Sequence, residues 1–342
     1  MKFQNRFMRA LAALLVASVF AAFSFSCAKK SAGSVSDKAD AKPRTLIVTT
    51  IFPAYDWVKQ VIADKSDDFE VVLLTDKGAD LHSYQPSADD IIRITDCSML
   101  VCVGGNSDAW VFDFMYNENA PRRKDKHVVS MMHLLDKDVK TEDEIQKSCI
   151  DHKAEEHDHA SGNEEHDEHV WLSVRNAQKI VRKIADELCL IDPSNSDSYR
   201  ENADSYISKL QELDAHCNAV AKMAKRSMLL FADRFPFGYF VCDYGLSFDA
   251  AFSGCSSESD ASFLMITSLA DKLKQFKLPA VVALKGRSHN IPESVLSVAA
   301  VDGVKVVTVD SMESLTSKDR ASGITYASVM EDNLDSFRQA LN

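Results

Sequence analysis

The stretch NSDSYRENADSYISKLQELDAHCNAVAKMA, residues 195–224, decides the fold. It contains neither glycine nor proline, and its apolar residues are alternately four and three positions apart, which places them on one face of a helix. A helix of about 30 residues would be about 45 Å long, more than the diameter of one small domain. We interpret it as a helix that packs along two domains. The alternative is a coiled coil, for which three heptads are the bare minimum. The apolar stripe comprises Tyr199, Ala203, Tyr206, Leu210, Leu213, Cys217 and Val220.

Strand and helix patterns alternate on both sides of this helix. Before it, short runs rich in β-branched residues predict strands at 45–51, 69–74, 98–103 and 127–130. After it, the same signal predicts strands at 227–232, 246–251, 280–284 and 305–309. Further helices are predicted at 87–94, 174–190, 260–276 and 326–341. This alternation predicts an α/β fold with two α/β lobes, each a mostly parallel sheet flanked by helices, bridged by one long helix.

Composition agrees with a two-domain globular protein. The chain has 342 residues, a length that suggests two domains, and 46% of them are hydrophobic, enough for a real core. With 51 acidic and 39 basic side chains the formal net charge is −12, which argues against a nucleic-acid partner.

The N-terminus has the layout of an export signal. Lys2, Arg6 and Arg9 precede the uncharged segment 10–25, and Cys27 follows directly after Ser26. A cysteine at this place resembles a bacterial lipoprotein processing site; an ordinary cleaved signal and an uncleaved anchor are the alternatives. We therefore expect a signal peptide at 1–26, lipidation of Cys27 and a tether at 27–43. The N-terminal lobe would then cover 44–194, the bridging helix 195–224 and the C-terminal lobe 225–342.

Three residues stand where a parallel sheet binds ligands, at the carboxyl ends of strands. His82 follows the second predicted strand, His169 precedes the apolar run VWL, and Asp310 follows the last predicted strand. Imidazoles and carboxylates are ligands for Zn²⁺ or Mn²⁺. Taken singly, each has a simpler explanation: a loop histidine is often solvated, and Asp310 could cap the next turn.

Residues 151–169, DHKAEEHDHASGNEEHDEH, hold five of the ten histidines beside eight carboxylates. The segment has no helical or strand period, so we predict a loop at 151–168. Its histidines either form an auxiliary metal-capture group or are incidental to a solvated acidic loop. This group comprises His152, His157, His159 and His166.

Several segments together resemble one protein family, the metal-binding subunits of bacterial ABC importers for zinc and manganese, of the zinc-uptake type. The resemblance covers about residues 44–342. It implies two α/β lobes with a metal site in the cleft between them. It also implies an exported lipoprotein, facing the periplasm or cell exterior, that hands zinc, or alternatively manganese, to a permease with its ATPase subunit. Histidine-rich loops of this kind go with zinc more than manganese. The segments include TTIFPAYDWVKQV (49–61), GADLHSYQPSADDI (78–91), EHVWLSVRNAQKI (168–180), FPFGYFVCDYGLSF (235–248) and SGITYASVMEDNLDSF (322–337).

The resemblance assigns metal-ligand positions residue by residue. His82 and His169 match the family's first two histidines, and Asp310 matches its acidic ligand after the last strand. The remaining histidine is replaced by Arg234, whose guanidinium offers no lone pair to a metal. The candidates for the vacant ligand position are water, Asp233, Asp260 and His289.

Two other functions fit parts of the sequence. Three protein ligands with an open position also describe a catalytic zinc, but the chain has neither an HExxH helix nor a G-x-S-x-G elbow, and HDEH at 166–169 has the wrong spacing. A surface adhesin of the same fold is the second alternative. We expect a binding protein rather than an enzyme.

Overall fold

A computed structural model describes residues 44–76, 78–116, 125–149, 165–254 and 261–342. Within these ranges, no helix combines the length and apolar character that a membrane crossing requires. Several predictions lie outside the described residues: the signal peptide, the tether, the lipidated Cys27, the loop histidines His152, His157 and His159, and Asp260.

The first lobe is built on a parallel sheet of four strands, in the order β2-β1-β3-β4. The pairing places Thr45 opposite Phe69 and Met99 opposite His127. All four predicted strands are confirmed, and every residue of β3 is buried, as expected for a sheet covered on both faces. The strands are β1 Thr45–Thr49, β2 Phe69–Leu73, β3 Met99–Cys102 and β4 His127–Ser130.

Helices of the first lobe begin where the sequence offers suitable residues. Pro53 lies in the first turn of α1, where its missing N–H costs nothing. Ser87 caps α2 as predicted: its hydroxyl accepts the N–H of Asp90, whose carboxylate accepts the Ser87 N–H in return. The helices are α1 Phe52–Ile62, α2 Ala88–Asp96, α3 Ala109–Tyr116, α4 Met131–Leu135, α5 Glu142–Cys149 and α6 Val174–Ile191.

The predicted long helix is confirmed as α7, Ser196–Met223, with 28 residues. Its apolar stripe faces the core: the residues from Tyr199 to Cys217 are buried, and Val220 is half-buried against them. The helix packs against α1 and α6 of the first lobe and against the C-terminal helix, Tyr326–Leu341. It is therefore the element that joins the two lobes.

The second lobe has the same strand order as the first, β6-β5-β7-β8, and its four strands are also parallel. In each sheet the connections that leave the two central strands run toward opposite edges of the sheet. The loops at the carboxyl ends of these strands therefore diverge, which is where parallel sheets bind ligands. The strands are β5 Met228–Phe235, β6 Ser247–Ser253, β7 Ala280–Leu284 and β8 Lys305–Val309. The helices are α8 Gly238–Tyr244, α9 Phe263–Gln275, α10 Asn290–Ala299, α11 Ser317–Ala321 and α12 Tyr326–Leu341.

One hydrophobic cluster runs through both lobes. It includes Trp57 on α1, Leu210 on α7 and Phe337 on α12. The rings of Trp57 and Tyr326 meet edge to face with centroids 5.0 Å apart. A polar contact reinforces this junction, because the buried carboxylate of Asp56 accepts the N–H of Tyr326 at 2.9 Å. The lobes are thus held by a shared interior as well as by the chain that connects them.

Phe337 gives a test of this shared core. It is fully buried, with its ring centroid 4.8 Å from that of Phe240 and 5.2 Å from that of Phe237. Phe337→Ala should lower the free energy of unfolding by about 3–5 kcal/mol, because the cavity forfeits both hydrophobic burial and packing contacts. Denaturant unfolding measures the effect. The matched control is Phe263→Ala on α9, where the side chain is 73% exposed and the change should stay within about 0.5 kcal/mol. Equal effects of the two substitutions would contradict the described core.

Candidate metal centre

His82 is carried by a short turn after β2. Leu81–Ser83 form a 3₁₀ turn capped by Asp80, whose Oδ1 accepts the N–H of His82 at 3.0 Å. The Nδ1 atom of His82 lies 2.6 Å from Ser107 Oγ, in the loop after β3. With Nδ1 engaged there, Nε2 is the ring nitrogen left to face the crevice.

His169 is held more tightly still, with its side chain completely buried. Asp167 Oδ1 accepts the backbone N–H of His169 at 2.7 Å and lies 2.8 Å from Nδ1. An ionised carboxylate can only accept, so Nδ1 carries a proton and Nε2 points away from Asp167. A Cβ at Gly254 would come within 2.8 Å of the Phe235 carbonyl oxygen and 3.1 Å of His169 Cε1, so a larger residue here would force the backbone or the ring to shift.

Glu313 enters from the other lobe, in the loop after β8. Trp171 Nε1 donates to the carbonyl of Ser311 at 2.8 Å, which ties this loop to the segment that follows His169. Asn333 on α12 accepts the N–H of Asp310 at 2.7 Å and donates to its carbonyl at 2.8 Å. Between these anchors Met312 has a left-handed backbone, φ 61°. The turn it makes directs the buried Glu313 inward.

The three side chains converge on one point. His82 Nε2 lies 3.2 Å from His169 Nε2, and Glu313 Oε1 lies 2.7 Å from His169 Nε2 and 3.8 Å from His82 Nε2. All three atoms fall within 4.8 Å of one another. Although Oε1 is close to His169, it accepts no hydrogen bond of normal geometry from any described residue. A buried oxygen and two imidazole nitrogens aimed at one point form a donor set suited to a divalent metal ion.

Charges at the centre are strongly coupled. Burial alone would lower the pKa of His169, but the negative charges of Asp167 and Glu313 outweigh it and raise that pKa to about 10. Burial would raise the pKa of Glu313, yet its contacts with His169 and His82 hold it well below its usual range. The metal-free centre therefore contains a protonated imidazole beside a carboxylate, and a bound cation would take the place of that proton.

Residues 47–340 match the family described as ZnuA, zinc-uptake complex component A, periplasmic. The chain belongs to this family.

Individual family members extend the comparison. The chain is 31% identical to the zinc-binding lipoprotein AdcA of Streptococcus pneumoniae over 95% of its length, and it spans 60% of the length of AdcA. It is 29% identical to the high-affinity zinc uptake system protein ZnuA of Bacillus subtilis, with 99% of this chain and 98% of that protein covered. The crystal structure of the Zn(II)-bound ZnuA-like domain of S. pneumoniae AdcA superposes with a TM-score of 0.66 at 28% identity, covering 87% of this chain and 99% of that one.

The structure places Asp310 differently from the prediction. Its Oδ2 accepts from Lys285 Nζ at 3.0 Å and its Oδ1 accepts the N–H of Met312 at 2.8 Å, so its carboxylate is engaged outside the cluster. The carboxylate beside the histidines belongs to Glu313, three residues later. The structure therefore does not bring Asp310 together with His82 and His169, and Glu313 stands in the expected place beside them. In the sequence, Glu313 differs from any other acid in a loop only by its place shortly after the last strand.

The other described candidates also lie apart from the cluster. Asp233 Oδ1 accepts the N–H of Arg234 at 2.8 Å and its Oδ2 accepts the N–H of Leu284 at 3.2 Å, so this carboxylate caps backbone within its own lobe. His289 is exposed at the start of α10, and His166 is exposed where it pairs with Thr141 in an isolated antiparallel bridge.

Arg234 lies at the edge of the centre. Its Nη2 donates to Asp80 Oδ2 at 2.7 Å and is 3.8 Å from Glu313 Oε2. The side chain is 6% exposed. A guanidinium in this position supplies positive charge and hydrogen bonds, and it cannot supply a ligand.

Two substitutions separate the carboxylates of Glu313 and Asp310. Glu313→Gln should weaken zinc binding about 100-fold, or about 2.7 kcal/mol, because a neutral amide is a much poorer zinc ligand than a carboxylate. Asp310→Asn breaks a partly exposed ion pair with Lys285 and should change the Kd by about fivefold or less. Competition against a chelating dye measures both constants. A larger loss in Asp310→Asn than in Glu313→Gln would assign the ligand to Asp310 instead.

Proposed function

We propose that this protein is the extracytoplasmic substrate-binding protein of an ABC transporter, which captures zinc and delivers it to a membrane permease and its ATPase. The observation that carries the proposal is the convergence of His82 Nε2, His169 Nε2 and Glu313 Oε1 within 4.8 Å. These side chains come from both lobes, since His82 follows β2 and Glu313 follows β8. Family membership and the names of the relatives support it.

The donor set favours zinc over manganese. Zinc binds two imidazole nitrogens and one carboxylate oxygen, and water in the open fourth position completes its four-coordinate geometry. Manganese prefers an oxygen-rich, six-coordinate shell, which this set would not complete. An open position also suits a carrier, because an incoming ligand can attach before the bound ones leave.

The supporting contacts suit a site formed before the ion arrives. Asp167 orients His169, and Ser107 engages His82, so both rings already present Nε2 to the crevice. Such outer contacts fix the tautomer of a histidine ligand and raise its basicity. The two rings therefore lose little further conformational entropy when zinc binds.

The proposal also covers four further histidines. His152, His157 and His159 lie outside the described residues, and His166 lies within them. We assign them to weak, transient capture of zinc ahead of the central site. Ordering a loop costs about 1–2 kcal/mol for each residue fixed, so ligands in such a segment bind more weakly than those of the crevice.

The charge state of the centre predicts that zinc binding releases a proton. His169, with a pKa near 10, is protonated in the metal-free protein at neutral pH, and zinc must displace that proton. Zinc affinity should rise about tenfold per pH unit from about pH 6.5 toward pH 9. The folding stability of the metal-free protein changes with pH in the opposite direction to zinc affinity. The contribution of the charged His169 to that stability is fully present below about pH 6.5 and is lost as pH rises through about 10.

Calorimetric titration in buffers of different ionisation enthalpy counts the released protons. Wild type should bind zinc at a single tight site with release of about one proton at pH 7.5. Asp310→Asn serves as control and should release the same number. Tight zinc binding without proton release would contradict the His169–Glu313 pair, whereas manganese binding tighter than zinc would contradict the proposed cargo.

Lipidation is tested through Cys27. AdcA of S. pneumoniae is named a lipoprotein, and we propose that Cys27 carries the anchor here. Cys27→Ser should move the protein from the membrane fraction to the soluble fraction while its zinc Kd stays unchanged, because stable anchoring needs two acyl chains and the crevice lies in a different part of the chain. Membrane retention of Cys27→Ser, or a wild-type protein that never incorporates labelled fatty acid, would refute the anchor.

A further inference from the structure

We propose that Arg234 is a positioning residue of the zinc site, which holds His82 in place through Asp80 and raises zinc affinity without being a ligand. The inference rests on the proposed function, since it concerns the affinity of that same site. It assigns a role to a buried cation next to a cation-binding centre, where simple electrostatics would predict that its charge opposes binding.

Arg234 reaches the centre from the second lobe. It lies near the carboxyl end of β5, just after a register shift in the pairing of β5 with β6. From there its Nη2 donates to Asp80 Oδ2 of the first lobe at 2.7 Å. This charged hydrogen bond joins residues 154 positions apart, and the guanidinium is almost completely buried. Burial keeps solvent from screening it.

Asp80 uses its two oxygens for different purposes. Oδ1 accepts the N–H of His82 and caps the turn that carries this ligand, while Oδ2 accepts from Arg234 and, at 3.1 Å, from Arg287. Rotation of the Asp80 carboxylate would disturb both contacts together. Arg234 makes the shorter and more deeply buried of the two contacts, so it is the arginine that fixes the orientation of the carboxylate that caps the turn at His82.

The two carboxylate oxygens of Glu313 also make different contacts. Its Oε1 faces the two imidazole nitrogens, and its Oε2 lies 3.8 Å from Arg234 Nη2. The guanidinium favours the orientation in which one oxygen points at the metal position and the other points away from it. One Arg234 nitrogen thus lies beside carboxylates from both lobes, and each carboxylate either supplies or supports a ligand.

Two effects of Arg234 on zinc affinity have opposite signs. Its positive charge repels the ion, so removal of that charge would tighten binding. Its hydrogen bond orients Asp80 and thereby His82, so removal of that bond would weaken binding. Because Asp80 Oδ2 lies 2.7 Å from the guanidinium and compensates its charge, we expect the positioning effect to exceed the repulsion.

Arg287 provides a matched control. Among the described residues it pairs with Asp80 and with no other carboxylate, and its side chain is 35% exposed. Arg287→Gln removes the same charge from the same carboxylate oxygen, but it leaves the buried contact with Arg234 and the neighbourhood of Glu313 intact. The comparison separates a general loss of positive charge from the loss of this particular cation.

The experiment measures zinc Kd for the full-length protein by competition with a chelating dye. Arg234→Gln should weaken binding about 10- to 100-fold, the usual range for the loss of an outer contact to a metal ligand. Arg287→Gln should change it about fivefold or less. Arg234→Lys keeps the charge and one donor and should restore part of the lost affinity. Arg234→His should also weaken binding, although it adds an imidazole.

A double-mutant cycle and a spectroscopic probe complete the test. Arg234→Gln and Asp80→Asn should be strongly non-additive, because both act on His82 by one route. Co²⁺ bound to Arg234→Gln should keep the visible absorption spectrum of wild type, since the ligands are unchanged. Tighter zinc binding in Arg234→Gln or Arg234→His, additive losses in the cycle, or an altered cobalt spectrum would each overturn the proposal. Absence of zinc binding by wild type would instead refute the proposed function.

Discussion

The buried contact between His169 and Glu313 is the interaction on which the rest of this structure depends. Each side chain comes from a different lobe, and each is withdrawn from water. A buried charge is tolerated when an opposite charge and further hydrogen bonds compensate it, and here Asp167 provides the second negative partner for the imidazole. In the metal-free protein the pair is an imidazolium beside a carboxylate.

That contact requires the two lobes to be held in fixed register. A cluster of buried residues passes from α1 through α7 to β5 and α12, so the interior is continuous across the lobe boundary. Any large rotation of one lobe against the other would separate Trp57 from Tyr326 and break the bond from Tyr326 to Asp56. Changes on binding are therefore more easily accommodated in the loops than in the sheets.

Much of this architecture could be predicted from the sequence. Apolar runs predicted the eight strands, because strands buried on both faces of a parallel sheet are almost continuously hydrophobic in sequence. The helical spacing of apolar residues predicted the long helix. His82 and His169 were predicted from their places next to predicted elements, and the structure brings them together. Glu313 was missed, since Asp310 is the first acid after β8 and no local pattern tells that Lys285 and Asn333 engage it. Asp80 was missed as the partner of Arg234 because that pairing is set by the tertiary fold.

The left-handed residue before Glu313 has a consequence for how the site could be altered. For an L-amino acid other than glycine, that conformation costs about 1–2 kcal/mol, so Met312 is less favourable locally than glycine would be. Glycine would remove this cost, but it would also allow the segment many more backbone conformations. The Glu313 carboxylate would then be held less firmly in one orientation. Met312 is itself buried, which adds a side-chain anchor that glycine lacks. Met312 at this turn therefore makes the protein slightly less stable, but it defines the orientation of the Glu313 carboxylate more narrowly than glycine would.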